Sequence, residues 1–295
     1  MKAVEVEGLA KLYGQIRAVD DITFSIEVGE VVAILGPNGA GKTTTVEMLE
    51  GFRRPDAGHI TVLGKDPGDR RNGWLDRIGI VLQQSGIEDE LTVVESIAAQ
   101  ARPYTAPMTV EEVIAAVGLE AKKDERIKNL SGGQRRRLDL ALGIVGNPEL
   151  LFLDEPTTGF DPEARRRSWE VIRGLATNGT TIVLTTHYLE EAQELADRVM
   201  VMADGRIVAD GSPDQIGERS AGGSTITFTI DPADASTLGV EPAGGGRVTI
   251  ETEDPVRIIN QLTSAALGNG IELRQLEVSR LTLEEAYLRL VGGHG

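Results

Sequence analysis

The sequence contains no cysteine among its 295 residues. It can therefore form no disulfide, and it offers neither a thiolate nucleophile nor a cysteine-ligated zinc or iron–sulfur site. No apolar stretch reaches the length that spans a bilayer, and residues 1–8 lack the apolar core of a secretory signal. We therefore expect a soluble, cytoplasmic protein without redox chemistry.

Basic residues are scarce as well. Lys and Arg number 30 against 46 Asp and Glu, which gives a formal net charge of −16. Because nonspecific nucleic-acid binding needs basic residues that neutralise phosphates, we expect no nucleic-acid partner. Two basic clusters, Arg135–Arg137 and Arg165–Arg167, fall on predicted amphipathic helices, and we interpret both as solvated faces without a function.

A glycine-rich segment follows the apolar run Val31–Leu35 and precedes the helix-forming residues Val46–Leu49. It matches the Walker A pattern, in which backbone N–H groups at a helix N-terminus bind phosphate. Lys42 would reach the β- and γ-phosphates of ATP, and the Thr43 hydroxyl would ligate the Mg²⁺ that bridges them. The predicted nucleotide-binding residues of this segment are Gly36, Pro37, Asn38, Gly39, Ala40, Gly41, Lys42, Thr43 and Thr44.

Two adjacent carboxylates end the apolar run Leu150–Leu153, which is typical of a strand covered on both faces. At the carboxyl edge of a parallel sheet, where ligands of α/β proteins bind, Asp154 would hold Mg²⁺. Glu155 points the other way along the pleat and would accept a proton from the attacking water. Solvated strand ends are the alternative interpretation.

Gln83 and His187 each follow another predicted buried strand. Gln83 would bridge Mg²⁺ or its water, and a polar loop residue is the alternative. His187 would contact a γ-phosphate oxygen, and a structural histidine is the alternative. With Glu155 and Lys42, these two residues complete the predicted catalytic set.

A second anion site is predicted at Leu130–Gln134, where Ser131 caps a helix and glycines leave its first N–H groups open. A capped helix start without a ligand is the alternative. The candidate ligand-binding residues of this second anion site are Ser131, Gly132, Gly133 and Gln134. Asp161, followed by Pro162, is predicted to cap another helix. Tyr13 would stack on a purine base, although a tyrosine by itself is more typical of core or surface, and its weight comes only from the other motifs.

The chain organisation predicts two domains. An antiparallel layer over Ala3–Glu30 precedes the Walker A segment, and capping boxes begin helices at Thr92 and Thr109 within an inserted helical block. Residues 1–217 form the predicted nucleotide-binding domain. A glycine-containing linker at Ala221–Ser224 leads to a small α+β domain over residues 224–295, to which we assign docking or regulation.

In this order, the landmarks Tyr13, Walker A, Gln83, L-S-G-G-Q, Asp154-Glu155, Asp161 and His187 closely resemble those of ATP-binding cassette (ABC) ATPases. The resemblance implies an α/β P-loop NTPase cassette: a mixed-sheet core, an antiparallel β layer and an inserted helical subdomain. It adds Asp161 and Tyr13 to the ATP-binding set. Phe160 stands where the family usually has leucine, an apolar exchange that leaves Asp161 in place.

The segments L-S-G-G-Q-R-R-R-L-D-L-A and L-F-L-D-E-P-T-T-G-F-D-P are similar to the bacterial drug-efflux branch of that family. The resemblance implies a head-to-tail homodimer that encloses two ATP molecules, and a membrane permease contacted near residues 85–91. The chain would then lie at the inner face of the cell membrane as the motor of an exporter. A non-transport cassette ATPase acting on ribosomes or DNA is the alternative.

Overall fold

The computed structural model describes residues 1–69, 73–81, 86, 88–221, 224–280 and 283–292. The chain divides into two compact units, Met1–Asp210 and Gly211–Gly295. Its first nine strands are β1 (Lys2–Tyr13), β2 (Ile16–Glu27), β3 (Val31–Leu35), β4 (Ala57–Val62), β5 (Ile78–Val81), β6 (Leu150–Asp154), β7 (Thr181–Thr186), β8 (Arg198–Ala203) and β9 (Arg206–Gly211). The α-helices of the first unit are α1 (Lys42–Leu49), α2 (Val93–Ala101), α3 (Val110–Val117), α4 (Gly132–Ile144), α5 (Pro162–Thr177) and α6 (Leu189–Leu195).

A six-stranded sheet in the order β5-β6-β7-β3-β8-β9 forms the centre of the first unit. The pairs β5–β6, β6–β7, β7–β3 and β3–β8 are parallel. Every residue of β3 and β7 is buried, as expected for strands covered on both faces. This order brings the carboxyl ends of β3, β6 and β7 together at one edge of the sheet.

A second, antiparallel sheet has the order β2-β1-β4 and matches the predicted antiparallel layer. Its buried residues Val4, Leu9 and Ile26 share one core cluster with Ile34 of β3 and Met48 of α1. Helix α1 contacts β2 and β4 of this layer. Helix α1 is therefore fixed by apolar packing that spans both sheets.

Helices α2 and α3 begin at capping boxes, as predicted. Thr92 accepts from the backbone of Glu95 while the Glu95 carboxylate accepts from the Thr92 N–H, and Thr109 and Glu112 repeat the arrangement. Each box satisfies backbone groups that a helix start leaves unpaired. Both helices contact α4 and form the helical block.

The second unit contains the sheet β11-β10-β12, with β10 at Ser224–Thr229, β11 at Arg247–Thr252 and β12 at Arg274–Arg280. Both strand pairs are antiparallel. Its helices are α7 (Pro213–Ala221), α8 (Ala235–Leu238), α9 (Pro255–Asn269) and α10 (Leu283–Gly292). Ile226, Phe228, Val248 and Leu262 form its core, which makes it a small α+β unit.

The division between the units falls earlier than the boundary predicted at residue 217. Helix α7 packs against α10 and belongs to the second unit. Residues 222–223 of the predicted linker lie outside the described residues. No helix in the part of the chain that the structure describes is long and apolar enough to cross a membrane.

Candidate functional site

The Walker A segment joins β3 to α1 in a loop that admits no side chain at two of its glycines. A Cβ at Gly36 would lie 2.4 Å from the carbonyl oxygen of Met202. Gly41 has φ +99°, and a Cβ there would lie 2.2 Å from the carbonyl oxygen of Ala18. The loop therefore depends on glycine both for close backbone approach and for a left-handed conformation.

Lys42 is the first residue of α1 and is 6% exposed. Its Nζ donates to the carbonyl oxygens of Gly36 at 2.7 Å and Pro37 at 3.1 Å. Burial lowers the pKa of Lys42, while the nearby carboxylates of Glu155 and Asp154 act in the opposite direction. The ammonium group is thus held inside the loop, where it would meet phosphate oxygens.

Asp154 ends β6 and is oriented by the adjacent strand. Thr185 Oγ1 of β7 donates to Asp154 Oδ1 at 2.5 Å. The next residue, Glu155, leaves the strand with φ +46°. A non-glycine residue in this region costs roughly 1–2 kcal/mol, so surrounding contacts must hold it there.

Both carboxylate oxygens of Glu155 have hydrogen-bond partners. His187 Nδ1 lies 3.1 Å from Oε1, and Thr158 Oγ1 donates to Oε2 at 3.1 Å. Together with Asn38, Thr43 and Asp154, Glu155 and His187 line a cavity of about 520 Å³. The sheet edge therefore gathers a hydroxyl, two carboxylates and an imidazole beside the Walker A loop.

The L-S-G-G-Q segment starts α4 through a capping box. Gln134 N donates to Ser131 Oγ at 3.3 Å, and Ser131 N donates to Gln134 Oε1 at 3.0 Å. A second cavity, of about 630 Å³, is lined by residues that include Gly132, Gly133, Glu155 and Asp161. None of the described residues lining it belongs to the Walker A loop.

Comparison with known proteins identifies the family. The family model described as ABC transporter matches residues 19–158. The daunorubicin/doxorubicin resistance ATP-binding protein of Streptomyces peucetius is 36% identical over 308 residues, covering 99% of this chain and 93% of that protein. The chain belongs to the ABC transporter ATP-binding proteins. It is the ATPase subunit of a transporter and binds nucleotide.

Two further matches support the assignment to ABC ATPases. The Nod factor export ATP-binding protein I of Rhizobium sp. (strain N33) is 39% identical over 302 residues, covering 98% of this chain and 97% of that protein. A dimeric cassette structure in a post-hydrolysis state with ADP and Pi matches with a TM-score of 0.63 at 25% identity. It covers 71% of this chain and 98% of that one.

Two predicted nucleotide-binding residues, Asp161 and Tyr13, are not among the residues that line the 520 Å³ cavity. Asp161 caps α5, and its Oδ1 accepts from the backbone N–H groups of Glu163 at 3.0 Å and Ala164 at 2.9 Å. Tyr13 ends β1 and is 40% exposed. Gln83 lies outside the described residues, so its predicted role stays a prediction.

The interpretation of both basic clusters as solvated faces is wrong for Arg136 and Arg137 in the first cluster and for Arg165 in the second. Arg136 is 11% exposed and donates to backbone carbonyls of residues 154–156. Arg165 is 19% exposed, and its guanidinium lies 4.5 Å from the centroid of the Tyr188 ring. Their surroundings come from distant segments, so a helical pattern of basic residues does not reveal their burial.

Four residues near the predicted site were missed by sequence reasoning: Arg53, Arg136, Thr158 and Thr185. Arg53 lies 5.2 Å from the Tyr13 ring centroid, and its Nε contacts Glu47 Oε2 of α1 at 2.6 Å. The Arg53 guanidinium therefore lies within cation–π distance of the Tyr13 ring, on which we expect a purine to stack. No local signal marks Arg136 or Thr185, because their partners come from other elements, whereas Thr158 contacts Glu155 within the same turn.

Proposed function

We propose that this ABC ATPase hydrolyses ATP at the cavity containing Thr43, Asp154, Glu155 and His187, and that this hydrolysis drives export of a drug-like compound. The observation that carries the catalytic assignment is the placement of Glu155. Its carboxylate contacts His187 and faces the same cavity as Thr43 and Asp154. A carboxylate beside the phosphate-binding loop is suited to take a proton from water.

The proposed reaction is an in-line displacement at the γ-phosphate. Backbone N–H groups of the Walker A loop and Lys42 bind the phosphates, which positions the terminal phosphorus for attack. Glu155 accepts the proton of the attacking water, and His187 contacts a γ-phosphate oxygen and orients Glu155. The preorganised cations and N–H donors stabilise the charge that develops in the transition state.

The residues at the cavity fit a Mg²⁺ ion. Thr43 and Asp154 present a hydroxyl and a carboxylate to the same space, and Mg²⁺ prefers oxygen ligands. No group of three or more His, Cys, Asp or Glu residues that could hold a metal occurs among the described residues. This fits a cation held by few protein groups and by substrate phosphates, where it would neutralise developing charge. We retain Gln83 as a further candidate ligand.

A head-to-tail homodimer accounts for two cavities that share Glu155, only one of which is lined by Walker A residues. Within one chain, Gly132 and Gly133 line a cavity to which the described Walker A residues do not contribute. In the proposed dimer, Ser131–Gln134 of one subunit contact the ATP bound by the Walker A loop of the other. The dimeric state of the cassette structure with ADP and Pi supports dimerisation.

Export is supported by the relatives that match nearly the whole chain. One is named for daunorubicin and doxorubicin resistance and the other for Nod factor export. We propose that the chain binds a separate permease at the cytoplasmic face of the cell membrane, and that a drug-like compound leaves through this permease. The net charge of −16 speaks against the alternative of an ATPase acting on ribosomes or DNA.

Glu155→Gln tests the catalytic assignment. The amide keeps the shape of the side chain but accepts no proton, so turnover is expected to fall by about 10²–10⁴-fold while Mg-ATP binding persists. Phosphate release and fluorescent-ATP titration measure the two quantities. Glu170→Gln makes the same chemical change at an exposed position of α5 and is expected to hydrolyse ATP normally. Near-normal phosphate release by Glu155→Gln would remove Glu155 from the mechanism.

Export is tested with membranes from cells that produce the protein. Purification of the membrane-bound fraction, followed by mass spectrometry, is expected to recover an integral-membrane permease with this ATPase. Cells with wild-type protein and permease should accumulate less of the exported drug than cells with Glu155→Gln. Recovery of ribosomes in place of a permease would favour the alternative function.

A further inference from the structure

Arg136 connects α4, the helix that starts with the L-S-G-G-Q segment, to the backbone that carries Glu155. Its Nε donates to the carbonyl oxygen of Pro156 at 3.2 Å. Its Nη2 donates to the carbonyl oxygens of Asp154 at 3.0 Å and Glu155 at 3.3 Å. A planar guanidinium has five donors in fixed directions, so it can hold several carbonyls in one arrangement.

These three consecutive carbonyls reach one guanidinium because the chain turns where β6 ends. Glu155 has a left-handed conformation, with φ +46°. Contacts that hold such a conformation also fix the direction of the side chain that leaves the same Cα. The Glu155 carboxylate then lies 3.1 Å from His187 Nδ1, at the cavity shared with Thr43.

We propose that Arg136 is a positioning residue: it holds the Glu155 backbone in its active conformation and couples the two ATP sites of the dimer. The inference rests on the proposed function, which assigns proton transfer to Glu155. Arg136 itself contacts backbone carbonyls and acts through Glu155.

The coupling follows from the position of Arg136 in α4. Ser131 caps the same helix, and Gly132–Gln134 form its first turn. When that turn contacts the ATP of the other subunit, α4 takes the position set by this contact. Arg136 transmits the position to residues 154–156, so ATP in one site favours the active conformation of Glu155 at the other.

The neighbouring Arg137 is a matched control. Its Nη1 donates to the carbonyl oxygens of Val117 at 3.3 Å and Gly118 at 2.7 Å, at the end of α3. Substitution of either arginine therefore removes hydrogen bonds from α4 to backbone carbonyls. Only the bonds of Arg136 end at the segment containing Glu155.

The test compares full-length Arg136→Gln and Arg137→Gln. For Arg136→Gln we expect kcat to fall by about 10–100-fold, while KM and fluorescent-ATP affinity stay within about twofold of wild type. Arg137→Gln should lose a similar amount of thermal stability yet keep kcat within about threefold. Equal losses of kcat in the two variants would indicate a general structural role and overturn the inference.

A double variant shows whether Arg136 acts through Glu155. In the Glu155→Gln background, Arg136→Gln is expected to change the residual rate by less than about twofold, because the positioned group is already lost. Losses that multiply would mean that Arg136 acts elsewhere. Wild-type turnover by Arg136→Gln beside an inactive Glu155→Gln would overturn this inference alone, whereas an active Glu155→Gln would overturn the proposed function.

Cooperativity of ATP hydrolysis between the two sites tests the coupling. The Hill coefficient for ATP is expected to exceed 1 in wild type and to approach 1 in Arg136→Gln, since the sites then act independently. A Hill coefficient that Arg136→Gln leaves unchanged would overturn the coupling.

A conservative variant keeps the positioning role testable if Arg136→Gln does not fold. Arg136→Lys keeps the charge but lacks the planar guanidinium, so its kcat should lie between those of wild type and Arg136→Gln. If Arg136→Gln does not fold, wild-type kcat in Arg136→Lys would overturn the positioning role.

Discussion

At the scale of single residues, Lys42 combines burial with a charge that the proposed function needs. The carbonyl oxygens of Gly36 and Pro37 hold its ammonium group while the side chain is almost fully buried. Burial disfavours the charged form and lowers the pKa of Lys42 below its ordinary value of 10.5. Bound phosphates favour the charged form, so ATP binding and protonation of Lys42 are linked.

We predict that ATP affinity falls as the pH rises through the lowered pKa of Lys42. Above that pKa the free protein has a neutral lysine, so binding must take up a proton and weakens by at most about tenfold per pH unit. Fluorescent-ATP titrations from about pH 7 to pH 10 measure the dependence. The Lys42→Met variant should bind ATP more weakly than wild type at neutral pH, and its ATP affinity should not fall over this pH range through titration of residue 42. Parallel pH profiles of the two proteins would contradict the prediction.

At the scale of elements, the start of α4 has both a structural and a proposed functional role. The capping box between Ser131 and Gln134 stabilises the helix, and its first N–H groups are proposed to face the ATP of the partner subunit. Helix α3 begins with a capping box of the same kind at Thr109. The two boxes allow stability and function to be measured separately.

Ser131→Ala and Thr109→Ala are expected to destabilise the protein by similar amounts, about 1 kcal/mol each. In a unit of this size, that corresponds to about 2–4 °C in Tm. Thermal unfolding followed by circular dichroism measures the loss. ATP turnover should decrease in Ser131→Ala and remain near wild type in Thr109→Ala. Equal turnover in both variants would show that the Ser131 hydroxyl has only a capping role.

At the scale of the whole molecule, the two compact units separate catalysis from the small α+β region. The described candidate catalytic residues all lie within Met1–Asp210. Asp210, the last residue of that unit, forms an ion pair with Arg198, whose Nη2 lies 2.5 Å from Asp210 Oδ2. Helices α7 and α10 pack together in the second unit. We therefore propose a docking or regulatory role for the second unit.

A chain that ends at Asp210 is expected to fold and to bind ATP. It keeps both sheets and the Arg198–Asp210 pair, whereas a chain ending at Ala221 keeps α7 without its partner α10 and should aggregate more readily. Circular dichroism, size-exclusion chromatography and fluorescent-ATP titration measure these outcomes. A folded chain ending at Asp210 that fails to bind ATP would show that the second unit contributes to the nucleotide site.

Complementation between two inactive proteins tests the shared-site dimer. Gly132 has no neighbouring atom within 4 Å of an added Cβ, so Gly132→Asp adds a carboxylate at the proposed phosphate contact without a clash at that atom. Mixing Lys42→Ala with Gly132→Asp should restore some hydrolysis under conditions of subunit exchange. One site of the mixed dimer carries both lesions and the other carries none.

The control pairs a wild-type subunit with the Lys42→Ala/Gly132→Asp double variant. In a shared-site dimer each remaining site carries one lesion, so this pair should be inactive. If each chain instead completed its own site, the wild-type subunit would stay active. An active control together with silent mixed variants would contradict the head-to-tail arrangement.

The sequence by itself determined the features that depend on near neighbours or on burial pattern. Glycine spacing marked the Walker A loop, and the T-x-x-E pattern marked the starts of α2 and α3. Continuous apolar runs marked the buried strands that end at Asp154 and near His187. These features were predictable because capping hydrogen bonds join residues within about four positions, and a strand buried on both faces has consecutive apolar side chains.

Only the tertiary structure decided which distant groups meet. Arg136 bonds to carbonyls 18 to 20 residues away, and His187 lies 32 residues from Glu155. The sheet order β5-β6-β7-β3-β8-β9 sets which strand ends become neighbours, and packing of α7 with α10 sets where the first unit ends. An arginine on an amphipathic helix has the same local pattern whether it faces water or carbonyls. Its surroundings come from other elements, so only the folded chain distinguishes the two.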